Sequence, residues 1–567
     1  FKGLPKEATR LLQCVAVLER NATPRMVAAV SGMALDAAAD ESGELYARGL
    51  LHDDEERLDF VNDVMRDYVY GEMSGLRRTS LHYRAGKQLE LEPNPNPGIL
   101  ARHFHLGDDR SRAYRYAMEA ARTASESGGH AEAAVMAGLA RSTATDLDEE
   151  LAALRIMAES ELASAQLASA REHFSEIMRL QPEMIAEEKI RIQLRMVECS
   201  GAESNWPAVL RELNELAPLL RAIPLGATRV ELRMESSAWA VRAATRLSDS
   251  AIASRHVGRI KRARSTAEKT GTLSSEAEVV SRHSLVGFEL FFGSLSTALT
   301  LAESLSNLDD ELPQALLFRV HLLLSSAYLK AAEVERAENH ASLAFAAASK
   351  AGDFVQQANS LNNLACIALE AGQWDRVQDL LRNIEERVDA LQAAHDATLP
   401  LMMNEANLLL YQGQTKEAMQ RYSECRQVAR ENGITEFDPE LAACTGLTAL
   451  ALGNHEGIGD LWNEVEYSHA HDLIGTQERF KIEWFRGVLR VLNGDREGLD
   501  SNLASLSEVY ADKDKLESAK LAWLAKLLTG QLGDPIVLNE EMEKLGLVGL
   551  RWFGYFSRRL MRRILVH

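Results

Sequence analysis

Apolar residues recur along this chain at the three- and four-residue spacing of one helical face, in stretches that come as pairs divided by a short break. One such pair is Leu361-Asn362-Asn363-Leu364-Ala365-Cys366-Ile367-Ala368-Leu369 followed by Trp374 to Leu381. At each break a Gly or Ala precedes a small or aliphatic residue by five positions: Ala332/Ala337, Gly372/Val377, Gly413/Ala418, Gly453/Ile458, Gly494/Leu499 and Gly533/Leu538. These breaks repeat every 39 to 41 positions. A residue lacking a Cβ ends a helix readily in the left-handed region, so each break reads as the corner of a helical hairpin. Each hairpin has an apolar face that it cannot bury alone, so successive units must stack into a superhelix with a concave groove.

The same signature extends backward through Gly293/Ala298, Ala165/Ala170 and Gly129/Ala134, with weaker turns near Ser204 and Leu247. About eleven hairpins result, over roughly residues 115 to 567. Ahead of them the pattern changes to three helices, Lys6 to Leu18, Pro24 to Ser31 and Leu35 to Arg48. A short hairpin with an acidic tip follows, from Gly49 to Val61, and three helices plus a β-wing is the order of a winged helix. The expectation is an all-α fold, an α-solenoid of about eleven tetratricopeptide-like hairpins behind a small winged-helix domain. Its divisions are 1–90 for the winged helix, 91–118 for linking arm helices and 119–567 for the superhelix with a C-terminal capping helix.

Composition narrows the partners. The net charge of −20 excludes wholesale phosphate binding, because a nucleic-acid groove needs clustered Lys and Arg. The five cysteines are odd in number, far apart and set mostly in apolar helices, which indicates neither a disulfide framework nor a metal site and points to a reducing cytoplasm. No run of eighteen apolar residues and no signal-peptide pattern is present, so no membrane association is expected. The chain begins at Phe1 directly before a helix, which suggests further sequence upstream.

Four segments carry a family likeness: Phe60-Val61-Asn62-Asp63-Val64-Met65-Arg66-Asp67-Tyr68-Val69-Tyr70, then Arg77-Arg78-Thr79-Ser80-Leu81-His82, then Leu100-Ala101-Arg102-His103, then Ala113-Tyr114-Arg115-Tyr116-Ala117. In order and spacing these resemble the winged-helix and arm region of bacterial signal-transduction ATPases with numerous domains (STAND). That group includes the maltose-regulon activator, the large LuxR-type regulators and class III cyclases with a fused ATPase, and forty-residue repeats also resemble the maltose-activator type of superhelix. The resemblance implies a nucleotide-binding ATPase domain upstream, with ATP or ADP as its ligand. Asn62 stands where the family has a His that reaches the nucleotide phosphate, while Asp63 and Arg66 match. Asn62 and Asp63 also have a simpler reading as the cap of the helix that follows.

No catalytic constellation is visible. There is no GxxxxGK[ST] loop, and Gly86-Lys87 lies within a helical stretch. His103-Phe104-His105 and His469-Ala470-His471-Asp472 place their histidines two apart, on opposite sides of a helix, which is wrong for a shared metal. The chain is therefore read as not an enzyme, with no cofactor and no metal of its own.

Tetratricopeptide geometry puts the first helix of each hairpin along the groove, with small close-packing residues at Ser325, Ala365, Ala406, Gly446 and Gly487. Arg319, Asn359, Asn362, Asn363, Met403, Asn404, Asn407 and Trp484 then face the groove as candidate ligand or partner contacts. Asparagine is a poor helix former, so such a cluster needs a reason. It could bind a sugar or peptide backbone, or hydrogen-bond adjacent repeats to one another. Tyr328 and Trp374 fall at core positions. The final stretch, Gly549 to Leu565, carries five arginines, no acid, and Phe553, Phe556, Leu560 and Ile564 on one side. It fits a terminal cap, or a basic helix for a membrane, a helix-binding groove or nucleic acid.

The expected role is the sensing and coupling region of a STAND-type transcriptional regulator. An inducer or partner protein would bind in the groove, and an NTPase domain would act in cis. The alternatives are a constitutive scaffold for protein assembly and the regulatory arm of a nucleotide cyclase.

Overall fold

A computed structural model of the chain describes residues 4–53, 57–271, 273–306, 312, 314–385, 395–470, 479–495, 499–529 and 551–566. It forms two compact units, Phe1–Glu161 and Leu162–His567.

The first unit opens with α1 (Lys6–Leu18), α2 (Pro24–Ser31) and α3 (Leu35–Ala47), then β1 (Leu51–Asp53) and β2 (Leu58–Phe60). Thr23 caps α2 by accepting a hydrogen bond from the Met26 amide, Pro24 supplies a ready helical φ, and Gly32 stops the helix at φ 71°. The strands pair antiparallel with Leu51 opposite Phe60, which turns both side chains into a core with Leu11, Leu12, Val15, Val27, Val30 and Leu45. The acidic tip, residues 54–56, lies outside the described residues. Next come α4 (Asp63–Glu72), α5 (Gly75–Leu89), α6 (Pro97–Leu106), α7 (Arg110–Glu126), α8 (His130–Thr143) and α9 (Leu147–Ala163), whose last two residues pass into the second unit.

The second unit is helical throughout its described residues. It comprises α10 (Leu167–Leu180), α11 (Ala186–Ala202), α12 (Trp206–Ala222), α13 (Ala227–Arg246), α14 (Ser250–Thr270), α15 (Ser275–Phe292), α16 (Leu295–Ser306), α17 (Gln314–Lys330), α18 (Val334–Ala351), α19 (Phe354–Glu370) and α20 (Trp374–Glu385). Then follow α21 (His395–Gln412), α22 (Thr415–Glu431), α23 (Asp438–Ala451), α24 (Ile458–Ala470), α25 (Arg479–Leu492), α26 (Leu499–Ala511), α27 (Lys515–Leu528) and α28 (Arg551–Val566). From α11 onward the odd-numbered helix opens each hairpin. Those first helices lie side by side, α13 on α15, α15 on α17, α17 on α19, α19 on α21, α23 on α25 and α25 on α27.

The corners are left-handed where the repeat predicts, at Ala165, Ala332, Gly372, Gly413, Gly453 and Gly494. Gly533 lies outside the described residues. Three corners differ by detail. Gly128 rather than Gly129 has positive φ, Ser248 takes that role next to Leu247, and Gly293 ends α15 at φ −108° without entering the left-handed region. The predicted close-packing positions are filled as expected, with Ser325, Ala365 and Ala406 at 1% exposure or less.

Superhelical winding was not readable from the repeat. Helix α11 touches α21, and α17 touches α27, in each case five hairpins further along. Arg246 at the end of α13 likewise reaches Glu436 ahead of α23, at 3.9 Å. The stack therefore completes a turn every five hairpins, and successive turns touch. The result is a walled axial space rather than an open trough.

Candidate functional site

That axial space is a cavity of about 420 Å³, lined mainly by α13, α15, α17, α19, α21 and α27. Seven of the eight residues expected at the groove line it: Arg319, Asn359, Asn362, Asn363, Met403, Asn404 and Asn407. The eighth does not. Trp484 is 2% exposed, with its ring against Phe553 and Phe556 of α28 and its Nε1 donating to Met561 Sδ at 3.4 Å. Helix α28 returns over this face of α25 and covers Trp484.

The amide cluster divides into two roles. Asn404 Nδ2 donates to Asn362 Oδ1 at 2.7 Å across adjacent repeats, and Asn363 Nδ2 donates to Ser326 Oγ at 3.3 Å. Asn407 Oδ1 accepts from Tyr422 OH at 2.7 Å and from Lys481 Nζ at 3.1 Å, so that oxygen is spent on the wall. These bonds hold first helices in register, as repeat-to-repeat amides do. Asn359 and Asn362 keep capacity: Asn359 donates to Gln356 at 3.1 Å and retains its carbonyl oxygen, while Asn362 retains its NH₂. Ser325 Oγ, also on the wall, is buried without a hydrogen-bond partner. A buried hydroxyl in that state destabilises by about 1–3 kcal/mol unless water or a ligand meets it.

Sequence reasoning missed the end of the cavity built by α13 and α15, where the repeat is weakest. Trp239, Arg242, Glu235 and His283 line it there. The Arg242 guanidinium lies 5.3 Å from the Trp239 ring and 5.5 Å from that of Trp206. Burial, reinforced by Arg319 and Arg242, pushes the His283 imidazole down to about 3, so it is neutral at physiological pH. Burial raises Glu235. Burial also acts to raise Glu198, but Arg195 at 2.8 Å and Arg319 at 3.5 Å outweigh it and hold that carboxylate below its ordinary range. The turns near Ser204 and Leu247 place the hairpins at this end, and their corners, Ser204 and Ser248, are left-handed at φ 57° and 55°, but turns alone do not mark which side chains line a cavity.

In the first unit, Asn62 Oδ1 accepts from the Met65 amide at 2.9 Å and caps α4. Arg66 is bound to Asp63 at 2.9 Å and to Asp67 at 3.1 Å. The segment's groups are thus largely engaged with one another. The same helix exposes Val64 at 78% and Tyr68 at 50%, one turn apart. Two motif histidines meet behind it: His82 Nδ1 lies 3.0 Å from His103 Nδ1, and Tyr70 OH lies 2.9 Å from His82 Nε2. His105, in the same short motif, does not join them. His471 and Asp472 lie outside the described residues.

Helix α28 spans the first helices of several repeats. Phe553, Phe556, Leu560 and Ile564 are buried, Phe556 lies 4.7 Å from Tyr411 ring to ring, and Trp523 Nε1 donates to Ser557 Oγ at 2.9 Å. Its apolar face is occupied by the solenoid's inner wall, as a cap extended over several repeats.

Among the described residues, no helix is long and apolar enough to cross a membrane, and no group of three His, Cys, Asp or Glu side chains could hold a metal ion. No protein-family profile and no curated protein matches the chain. Among solved structures, it is similar to a STAND protein with a tetratricopeptide repeat sensor from Pyrococcus horikoshii, at 14% identity and TM-score 0.34, over 83% of this chain and 63% of that one. It is also similar to the Naa15/Naa10 complex bound to HypK-THB, at 13% identity and TM-score 0.26, over 94% of this chain and 86% of that one. The chain thus spans under two thirds of the length of the STAND protein. Similarity at this level leaves the chemistry of the cavity to be read from its own residues.

Proposed function

We propose that this chain is the sensing and coupling region of a STAND-type regulator of the maltose-activator-like or large LuxR-type kind, cytoplasmic and without catalytic activity of its own. Its axial cavity binds a small inducer. The observation that carries this reading is the walled cavity with uncommitted amide groups at Asn359 and Asn362 beside the unpartnered hydroxyl of Ser325. At about 420 Å³ it lies within the range of small-molecule sites, roughly 300–1,000 Å³. Neutral donors and acceptors alongside Trp239 and Phe318 suit a polyhydroxylated molecule or a short peptide.

The first unit supplies the coupling. Three helices and a β-hairpin in winged-helix order lead into α4, whose exposed Val64 and Tyr68 flank Asp63 and Arg66. That face would dock an NTPase domain in cis, and ATP or ADP would belong to that domain. A ligand shifts such a switch only by binding its two states unequally.

Thermal unfolding of wild type and of the Asn359→Ala/Asn362→Ala double variant, against di- and trisaccharides and tri- to pentapeptides, tests the reading. At least one compound should raise the wild-type transition and leave the variant's unmoved. A panel without effect on wild type, or one that stabilises both proteins equally, would reject the cavity as an inducer site and favour the scaffold alternative.

A further inference from the structure

The contacts between successive superhelical turns differ in kind from those that stack one hairpin on the next. Stacking within the turn is apolar, through residues such as Leu324, Leu361, Leu364 and Ile367. The seam between turns has an apolar contribution from Leu329 of α17, packed against the cluster that holds Leu516, but it also carries buried charges. Lys330 Nζ at the end of α17 meets Asp514 Oδ2 at 3.0 Å, with both side chains under one tenth exposed. The Leu295 amide donates to the Asp512 carbonyl at 2.7 Å. Lys520 Nζ on α27 reaches Glu370 Oε1 at the end of α19 at 2.5 Å. Asp514 serves twice, since its other oxygen caps α27 by accepting from the Glu517 amide at 3.0 Å. Lys330, Glu370, Asp514, Glu517 and Lys520 all line the cavity.

Two physical points follow. A buried ion pair adds little net stability over an apolar pair of the same shape, because desolvation offsets the attraction, so this seam is chosen for something other than strength. When such a seam parts, water resolvates its charges, whereas an apolar seam has no such compensation. The seam closes the wall of the cavity with the groups that an occupant would touch.

We propose that the start of α27 is a clasp. Lys330–Asp514 and Lys520–Glu370 hold successive turns together, and parting them admits a ligand to the cavity, which the closed clasp then retains. The clasp regulates the site argued above, but its test requires no inducer, so either idea can fail alone.

Cys366 is the reporter. It lines the cavity one helical turn before Glu370 and is half-buried. Cys14, Cys199, Cys425 and Cys444 are buried, and burial pushes Cys14 up to about 11 and Cys199 and Cys425 up to about 12, which keeps those thiols unreactive. Rates of Cys366 modification by methyl methanethiosulfonate and by the bulkier fluorescein maleimide are measured in wild type, Asp514→Asn and Lys330→Met. Asparagine keeps the helix cap and removes the charge. In wild type the bulky reagent should lag a peptide-thiol reference far more than the small one does. Each variant should raise the bulky rate at least about tenfold while the small reagent's rate changes less than about twofold, and the double variant should add nothing further. A wild type without size selection, or an unchanged bulky rate in both variants, would overturn the clasp. Parallel labelling of the four buried cysteines, which marks general loosening, would overturn it too.

Discussion

Replacing Gly446 by alanine sets two effects of known sign against each other. Gly446 sits inside α23, where alanine improves helix propensity by about 1 kcal/mol. A methyl group there would lie within 3.0 Å of three carbons of the Phe485 ring on α25, which is fully buried and has no room to retreat. Overpacking of that kind costs about 1–3 kcal/mol, so against the propensity gain the net change should be a loss of up to about 2 kcal/mol. Gly258→Ala in α14 is the control: its methyl group would meet only Arg262 Nη1, at 3.5 Å, and should stabilise by up to about 1 kcal/mol. Long repeat arrays can unfold piecewise, and local hydrogen exchange reports these two sites most directly. Exchange across α23 and α25 should quicken by up to about 30-fold in Gly446→Ala, and exchange across α14 should slow in Gly258→Ala. If Gly446→Ala protected its helix as Gly258→Ala does, the close approach of neighbouring first helices would be refuted.

Three further outcomes follow from individual groups. Asp353 caps α19 through the Gln356 amide at 3.0 Å, and burial pushes its carboxyl up to about 6. Its ionisation therefore opposes folding above that pH, and Asp353→Asn should unfold at a higher temperature than wild type at pH 7.5, an advantage that vanishes as pH falls through 6 toward 4. Burial pushes His82 down to about 4 and His103 down to about 3, with the charged neighbours adding to it. Below pH 6.5 an unfolded chain would take up protons that the folded one refuses, so amides of α5 and α6 should lose protection between pH 6.5 and 4, and His103→Gln should flatten that dependence. Gly413 has φ 84° and a Cβ there would run into the Arg559 guanidinium, so Gly413→Val should lower the melting temperature through a loss of about 1 kcal/mol or more; an unchanged melting temperature would contradict the assigned hairpin phase.

Hairpin phase was legible because it is local. A corner such as Gly372 and a packing position such as Ala365 lie seven residues apart and answer to one helix geometry. Winding is not local. Lys330 and Asp514 are 184 residues apart, and nothing in either segment announces the other. Trp484 shows the same boundary: its helical phase is evident from α25, but its cover comes from α28, beyond residue 550. The asparagines were conspicuous as poor helix formers, yet only coordinates separate Asn407, whose oxygen is spent on Tyr422 and Lys481, from Asn359 and Asn362. His82 and His103 stood in separate motifs whose meeting depends on how α5 packs on α6.

The decisive measurement is amide exchange at Leu295. As the first residue of α16, its N–H has no partner within its own helix and would ordinarily exchange quickly. Winding at five hairpins per turn gives it the Asp512 carbonyl, at 2.7 Å. Protection of at least about 100-fold over the unstructured rate would fit successive turns in contact around a cavity. Exchange at the unstructured rate, with α16 itself folded, would mean that the turns stand apart and that the cavity has no wall on that side.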